Sequence, residues 1–205
     1  MFAVDAGLLP DAGRNEYIVT PSETILVTGA NGFVGSKVVE ILLEYGFKKL
    51  RCLVRSSKNL AELRQIVERY EAEVEFFKGN LLSRDDCLHA ADGASVVYHL
   101  AAGVEKSFPG CFLNSVVTTR NLLEALIEAE ALRRFVNISS IAVYSNEKIP
   151  RGGLLDESCE VDTKFVERWE AYTYGKAKQD EIVIEYAKKH NMPYVIVRPS
   201  VVFGP

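Results

Sequence analysis

Long apolar runs are missing from this chain of 205 residues. No stretch approaches the ~20 residues that span a bilayer as a helix, so a membrane-spanning role is not expected. An excess of positive charge is missing too. The 24 Lys and Arg stand against 28 Asp and Glu, for a net charge of −4. That balance leaves no electrostatic footprint for nucleic acid or an anionic membrane surface. The four cysteines, Cys52, Cys87, Cys111 and Cys159, lack metal-ligand spacing. They are read as reduced thiols of a cytosolic protein, and no metal site is expected. The first residues do not join a basic region to an apolar core, so a secretory signal is not expected and the reading is cytoplasmic. Internal repeats and low-complexity tracts are absent as well. What remains is an ordinary globular composition, 48% hydrophobic and 25% charged. One domain of this length can bury roughly 70% of its unfolded surface.

Residues 1–22 carry Gly, Pro, Asp and Asn without periodicity and read as a leader to a domain over 23–205. Beyond them, β-rich and helical segments alternate. Strands are predicted over 24–28, 50–54, 73–77, 95–99, 134–138 and 194–198. Their Val, Ile, Leu and Phe content suits strands buried on both faces. Helices are predicted over 33–45, 58–70, 84–90, 111–130 and 169–190. Within the fourth, Asn121-Leu122-Leu123-Glu124-Ala125-Leu126-Ile127 has apolar residues at helical spacing. The alternation predicts an α/β fold, a Rossmann-type doubly wound parallel sheet with helices on both faces. Pro150, Gly152, Gly153 and mixed charges mark 145–168 as a long loop, a place where substrate can meet the protein.

Two separated features carry chemistry. The first is Thr28-Gly29-Ala30-Asn31-Gly32-Phe33-Val34-Gly35. It follows the apolar run from Thr24 to Val27 and opens an amphipathic stretch. Such a strand–turn–helix lets glycine backbone approach a pyrophosphate at a helix N-terminus. Gly29, Gly32 and Gly35 form the cradle, and Asn31, Phe33 and Val34 line the turn. The second feature is Tyr172-Thr173-Tyr174-Gly175-Lys176. Tyr172 and Lys176, four apart on a helix, share one face. An ammonium beside a phenol favours its ionised form and suits it to proton transfer. Tyr174 and Lys178 form a competing pair in the same pattern. A two-residue shift turns a helix by about 200°, so only one pair can face a bound cofactor. The first is preferred.

At the end of the second strand an Asp or Glu would bind the ribose 2′-hydroxyl of NAD. Here Arg55 stands instead, followed by Ser56, Ser57 and Lys58. A guanidinium can grip a 2′-phosphate, so NADP is the expected cofactor. NAD stays usable if Arg55 only stacks on the adenine. Asn80 follows the third strand, and its side chain offers a hydrogen-bond acceptor. His99 ends a strand and reads as packed, His89 and His190 as surface residues. Asp85 and Asp86 fit a first helical turn, and Trp169 reads as a packing anchor at the start of the Tyr-Lys helix.

From about residue 24 onward the chain resembles the extended short-chain dehydrogenase/reductase superfamily, in its NAD(P)-dependent epimerase/dehydratase branch. Residues 28–35 match the TGxxGFxG pattern. His99-Leu100-Ala101-Ala102 matches an HxAA segment. Asn114, with Thr118-Thr119-Arg120-Asn121-Leu122-Leu123-Glu124-Ala125, resembles the N-x-x-GT-x-NLLEA helix, Thr118 standing for Gly. Ser139 to Tyr144 resembles SSxxVYG, with Ser145 for Gly, and Arg198 to Pro205 resembles RPxxVYGP. The resemblance implies that Ser140 holds the reacting oxygen and that Lys176 also holds the nicotinamide ribose. It implies that Asn80 lies near the adenine amino group and that Leu81, Leu100, Ala101, Ala102, Pro199 and Val202 lie along the cofactor beside Tyr172 and Lys176.

It also implies a hydride-transferring oxidoreductase or epimerase whose substrates in this branch are most often nucleotide sugars. A reductase or dehydrogenase of a small or steroid-like carbonyl compound is the alternative. A non-catalytic dinucleotide sensor is a third reading, disfavoured by the intact Ser-Tyr-Lys set. Family members commonly pair two long helices into a homodimer. They also continue past this point into a small substrate domain. Its apparent absence here leads us to expect nucleotide binding with poor turnover by these 205 residues.

Overall fold

The computed structural model describes residues 17–204; most of the leader predicted over 1–22 lies outside them. Six strands form one sheet: β1 (Thr24–Thr28), β2 (Lys49–Val54), β3 (Glu73–Lys78), β4 (Ala94–His99), β5 (Arg134–Ile138) and β6 (Tyr194–Val197). Their order is β3-β2-β1-β4-β5-β6, and every pairing is parallel. The helices are α1 (Phe33–Glu44), α2 (Leu60–Val67), α3 (Arg84–Ala91), α4 (Phe108–Cys111), α5 (Thr118–Ala129) and α6 (Ala171–His190). All six predicted strands are present, and the predicted doubly wound α/β architecture is observed.

The pleat explains how one strand serves two cores. Successive side chains of a strand point to opposite faces. Ile25 and Val27 of β1 pack with Val39, Leu43 and Leu63 under α1 and α2. Leu26, between them, packs with Val97, Leu122, Leu126, Phe135 and Val183 under α3, α5 and α6. All five β1 residues are buried. The outer strands differ from the expectation of burial on both faces. β3 and β6 lie at the sheet edges and keep half-exposed or exposed side chains. The described end of the leader packs along the domain, with Val19 in the core and the Tyr17 ring 5.1 Å from Phe47.

Two boundaries depart from the helical reading. The stretch predicted as one helix over 111–130 begins earlier, at Phe108, capped by Ser107, whose Oγ accepts from the Gly110 N–H. It then passes through a π-helical segment, Phe112–Val117, before α5. π-turns of this kind often mark functional sites, and this one borders the cleft. α6 starts at Ala171, so Trp169 lies outside it with φ +57°. It is 83% exposed. The expectation that Trp169 anchors packing is therefore corrected: a left-handed backbone turns its indole outward, 6.3 Å from the Phe108 ring. The stretch 145–168 is irregular, as expected, and is tied to the domain through a bridge between Tyr144 and Val161.

The strand order reverses between β1 and β4. In a doubly wound sheet, that switch point opens a crevice at the carboxyl ends of the strands. The glycine-rich turn, the β2 end and the start of α6 all converge there.

Candidate active site

The Gly-rich turn is built around two close approaches. Gly29 adopts φ +68°, and a Cβ on it would lie 3.1 Å from the Ala101 nitrogen. A Cβ on Gly35 would lie 2.1 Å from the Gly29 carbonyl oxygen, so no side chain fits where α1 crosses the turn. Gly32 caps α1 without a side-chain hydrogen bond, and the helix has no acidic residue in its first turn. Its first N–H groups thus point into the crevice with the positive end of the helix dipole. Asn31 does more than line the turn. Its Nδ2 donates to the Ser56 carbonyl at 3.0 Å and the Lys58 carbonyl at 2.7 Å, pinning the loop after β2.

One end of the crevice is a cavity of about 450 Å³. Gly29, Asn31, Gly32, Arg55, Ser56, Lys58, Asn80, Leu81, Leu100, Ala101 and Ala102 line it, joined by Asn114 and Thr118. Its wall carries the two cations Arg55 and Lys58 and no carboxylate. Arg55 Nη1 donates to Asn114 Oδ1 at 3.3 Å, and Asn114 in turn donates to Glu105 and to the Gly110 carbonyl. Asn80 lies on the wall, where its side-chain oxygen already accepts the Leu82 N–H at 3.0 Å.

The other end is a cavity of about 360 Å³ lined by Phe33, Val34, Gly35, Ser140, Tyr172, Lys176, Pro199 and Val202. Three residues from three places in the chain meet here. Ser140 starts a short turn, and its Oγ accepts the Ala142 N–H, leaving its own proton free. Tyr172 lies in the first turn of α6 and is 37% exposed. Lys176, one turn on, is 4% exposed. Its Nζ donates to the Ile138 carbonyl at 2.6 Å and to Gln179 Oε1 at 3.0 Å. Burial pulls this ammonium down to about 8, although the Asp180 charge opposes the shift.

The competing pair goes elsewhere. The Tyr174 ring packs edge-on against Phe108 at 5.3 Å, and Lys178 pairs with Glu181 on the surface. Ser139, the other serine of the pair, is buried and donates to Asp180 at 2.8 Å.

Beneath the cleft lies a polar network that sequence reasoning missed. Asp180 accepts from Asn137 Nδ2, Ser139 Oγ and Arg198, and Arg198 Nη1 donates to the Tyr144 hydroxyl at 2.6 Å. His99 is fully buried between the Thr28 and Thr119 hydroxyls, each 2.8 Å away. Desolvation, helped by the Lys176 charge, pulls it down to about 3. It is a neutral, packed histidine, as its place in the sequence suggested. His89 and His190 are exposed, the former paired with Glu75. All four cysteines are free, and burial pushes Cys52 and Cys87 up to about 12. Among the described residues, no helix is long and apolar enough to cross a membrane.

Comparison with known proteins places this geometry. The family model described as "NAD dependent epimerase/dehydratase family" matches residues 25–205. Cinnamoyl-CoA reductase 1 of Petunia hybrida is 33% identical over 192 residues, which cover 89% of this chain and 55% of that protein. Cinnamoyl-CoA reductase 2 of Medicago truncatula is 33% identical, covering 96% of this chain and 59% of that protein. The chain thus spans little more than half the length of the curated relatives it matches. Among solved structures, UDP-glucuronic acid 4-epimerase from Bacillus cereus in complex with NAD superposes with a TM-score of 0.74 at 27% identity. It covers 89% of this chain and 57% of that one. The six-stranded parallel sheet, the glycine turn at its switch point and the match over residues 25–205 agree: the chain belongs to the NAD-dependent epimerase/dehydratase family.

Proposed function

We propose that this chain carries the cofactor-binding and proton-transfer residues of an NADP(H)-dependent carbonyl reductase. One observation carries the cofactor choice: the wall that receives the end of β2 holds Arg55 and Lys58 and no carboxylate. A carboxylate there would repel a 2′-phosphate; a guanidinium and an ammonium attract it. The rest of the crevice fits the group as well. A cradle that a Cβ would fill faces the uncapped N-terminus of α1, where phosphate oxygens find free N–H groups. When bound, the nicotinamide supplies a hydride to a carbonyl carbon or takes one back.

The chain's own residues do the remaining work. The first turn of α1 binds the pyrophosphate, and Arg55 with Lys58 holds the 2′-phosphate. Lys176 holds a ribose hydroxyl while keeping positive charge beside Tyr172. Ser140 donates its free hydroxyl proton in a hydrogen bond to the substrate oxygen. Tyr172 gives that oxygen a proton as the carbon is reduced, so the carbonyl leaves as an alcohol. Similarity to cinnamoyl-CoA reductases at 33% identity favours a net reduction of this kind. Nucleotide-sugar epimerisation, the leading expectation from the sequence, is the second reading. Likeness to the UDP-glucuronic acid 4-epimerase favours it.

Calorimetric titration with NADP⁺ and NAD⁺ in parallel tests the cofactor assignment. NADP⁺ binds more tightly, and Arg55→Ala weakens it about tenfold or more while leaving NAD⁺ nearly unchanged. Equal affinities that Arg55→Ala does not alter would remove Arg55 as a selector. In turnover with a candidate substrate, stoichiometric NADPH consumption marks the reductase. Turnover with no net change in cofactor marks the epimerase. Biological activity that survives Tyr172→Phe would point to a sensor.

A further inference from the structure

Lys176 is set from below by a side chain with no part in the Ser-Tyr-Lys pattern. Gln179 is fully buried, one turn further along α6. Its Oε1 accepts from Lys176 Nζ at 3.0 Å, and its Nε2 donates to Thr119 Oγ1 at 2.9 Å and toward the Ala101 carbonyl at 3.4 Å. An amide can in principle be turned either way round. Here the neighbours decide. Thr119 gives its single hydroxyl proton to the Ser115 carbonyl, so it can only accept from Gln179. It must likewise accept from His99 Nε2, which fixes the proton on that nitrogen. His99 Nδ1 is then bare and accepts the Thr28 hydroxyl, whose oxygen takes the Ala101 N–H. In this arrangement every donor meets an acceptor, and reversing the amide would set two donors against each other at Lys176.

We propose that Gln179 is a positioning residue: its amide oxygen, aimed by the Thr119–His99–Thr28 chain, holds the Lys176 ammonium against the Ile138 carbonyl. Two of the three N–H groups of Lys176 are thereby engaged below the cleft, and one is left for the cofactor side. The chain is a scaffold and not a proton wire. Its links are an amide, two hydroxyls and an imidazole held neutral, and it ends in the core at Thr28. The inference rests on the reading of Lys176 as a cofactor-contacting residue.

The groups that bear on Lys176 are Asp180 and Tyr172 on α6, His99 on β4, Arg198 after β6 through its pair with Asp180, and Cys111 of α4, packed against Gly175. Asp180 and Arg198 stay paired and His99 stays neutral in the variants below, so the Lys176 proton is the variable. The experiment measures NADP⁺ affinity against pH from neutral upward, in folded proteins checked by thermal melting. The unaltered chain loses affinity with a midpoint near 8. Gln179→Leu removes one acceptor and moves that midpoint down by about one unit, a tenfold loss of proton affinity. Gln179→Glu keeps an acceptor at nearly equal volume and moves it up. Thr119→Val leaves Gln179 without its aim and gives a smaller downward shift.

A role in packing alone would lower the melting temperature and leave the midpoint in place. Unmoved midpoints in both Gln179 variants overturn the proposal. Lys176→Met serves as the reference. If it changes neither affinity nor pH profile, the reading of Lys176 fails and takes the proposal with it. If it abolishes the titration while the Gln179 variants do nothing, only the proposal falls.

Discussion

The two ends of the crevice are built on opposite principles. At the Gly-rich end the charges are exposed, and the glycine cradle itself is backbone drawn from eight successive residues. Arg55 and Lys58 stand on a loop held by Asn31. At the Tyr-Lys end the key charge is buried. Lys176 is held by groups from β5 and α6 and backed by β1, β4 and α5, drawn from over 150 residues of chain. Exposed cations bind an anionic ligand and are screened by salt. A buried cation is placed to act on one neighbour, at the cost of a desolvation that lowers its proton affinity. On the proposed function, the first end serves affinity and the second serves chemistry.

Removing the proposed acid, Tyr172, tests that division most severely. Tyr172→Phe deletes one oxygen from a half-exposed ring and leaves Lys176 and its two acceptors in place. General acid catalysis supplies about 10²- to 10⁴-fold, so on the proposed function substrate turnover should fall by that factor. NADP⁺ affinity stays within about twofold. A comparable loss of affinity would mean the two ends are not separable.

The next effect is on stability. His99 carries a folded-state value of about 3 against an ordinary 6.5. Between those values the unfolded chain holds more protons than the folded one, so stability rises with pH across the window and is lost as pH falls from 6.5 toward 3. The loss grows as pH falls and approaches about 5 kcal/mol near pH 3. Urea midpoints measured over that range should fall steeply, and a His99→Gln variant should show a shallower slope whatever its stability at neutral pH. Equal slopes would place the acid sensitivity elsewhere.

This division also explains what could be read from the sequence. The strands were legible because parallel strands buried on both faces are continuous apolar runs, as at Thr24–Thr28 and Ala94–His99. The Gly-rich cradle was legible because its determinants fall within eight successive residues. The place of His99 in the core was legible from its position at a strand end. Gln179 and Thr119 were not, because their partners are set by tertiary packing, and neither stands in a pattern with a chemical meaning of its own. The π-turn at Phe112–Val117 was hidden for a related reason. Apolar spacing over 111–130 reads as one helix, and one extra residue in a turn does not disturb the count enough to be seen. Trp169 failed differently: a large apolar side chain predicts burial, and the left-handed backbone at φ +57° overrides it.

The smallest effect expected sharpens the comparison most, because it falls on a residue read only as lining the turn. Asn31 ties the glycine turn to the Ser56 and Lys58 carbonyls by two hydrogen bonds that are exposed to solvent. Each contributes about 1 kcal/mol or less in that setting. Their loss in Asn31→Ala does not touch the cradle glycines, which are held by backbone contacts with Ala101 and with each other. It frees the loop that carries Lys58 and follows Arg55. The variant should therefore lose about threefold in NADP⁺ affinity and little in NAD⁺ affinity, since only the former depends on the loop's cations. The pH midpoint set at Lys176 should not move. Parallel loss of both cofactors would show that Asn31 supports the cradle itself. In that case the Gly-rich end is a single unit, with cradle and cations no longer independent.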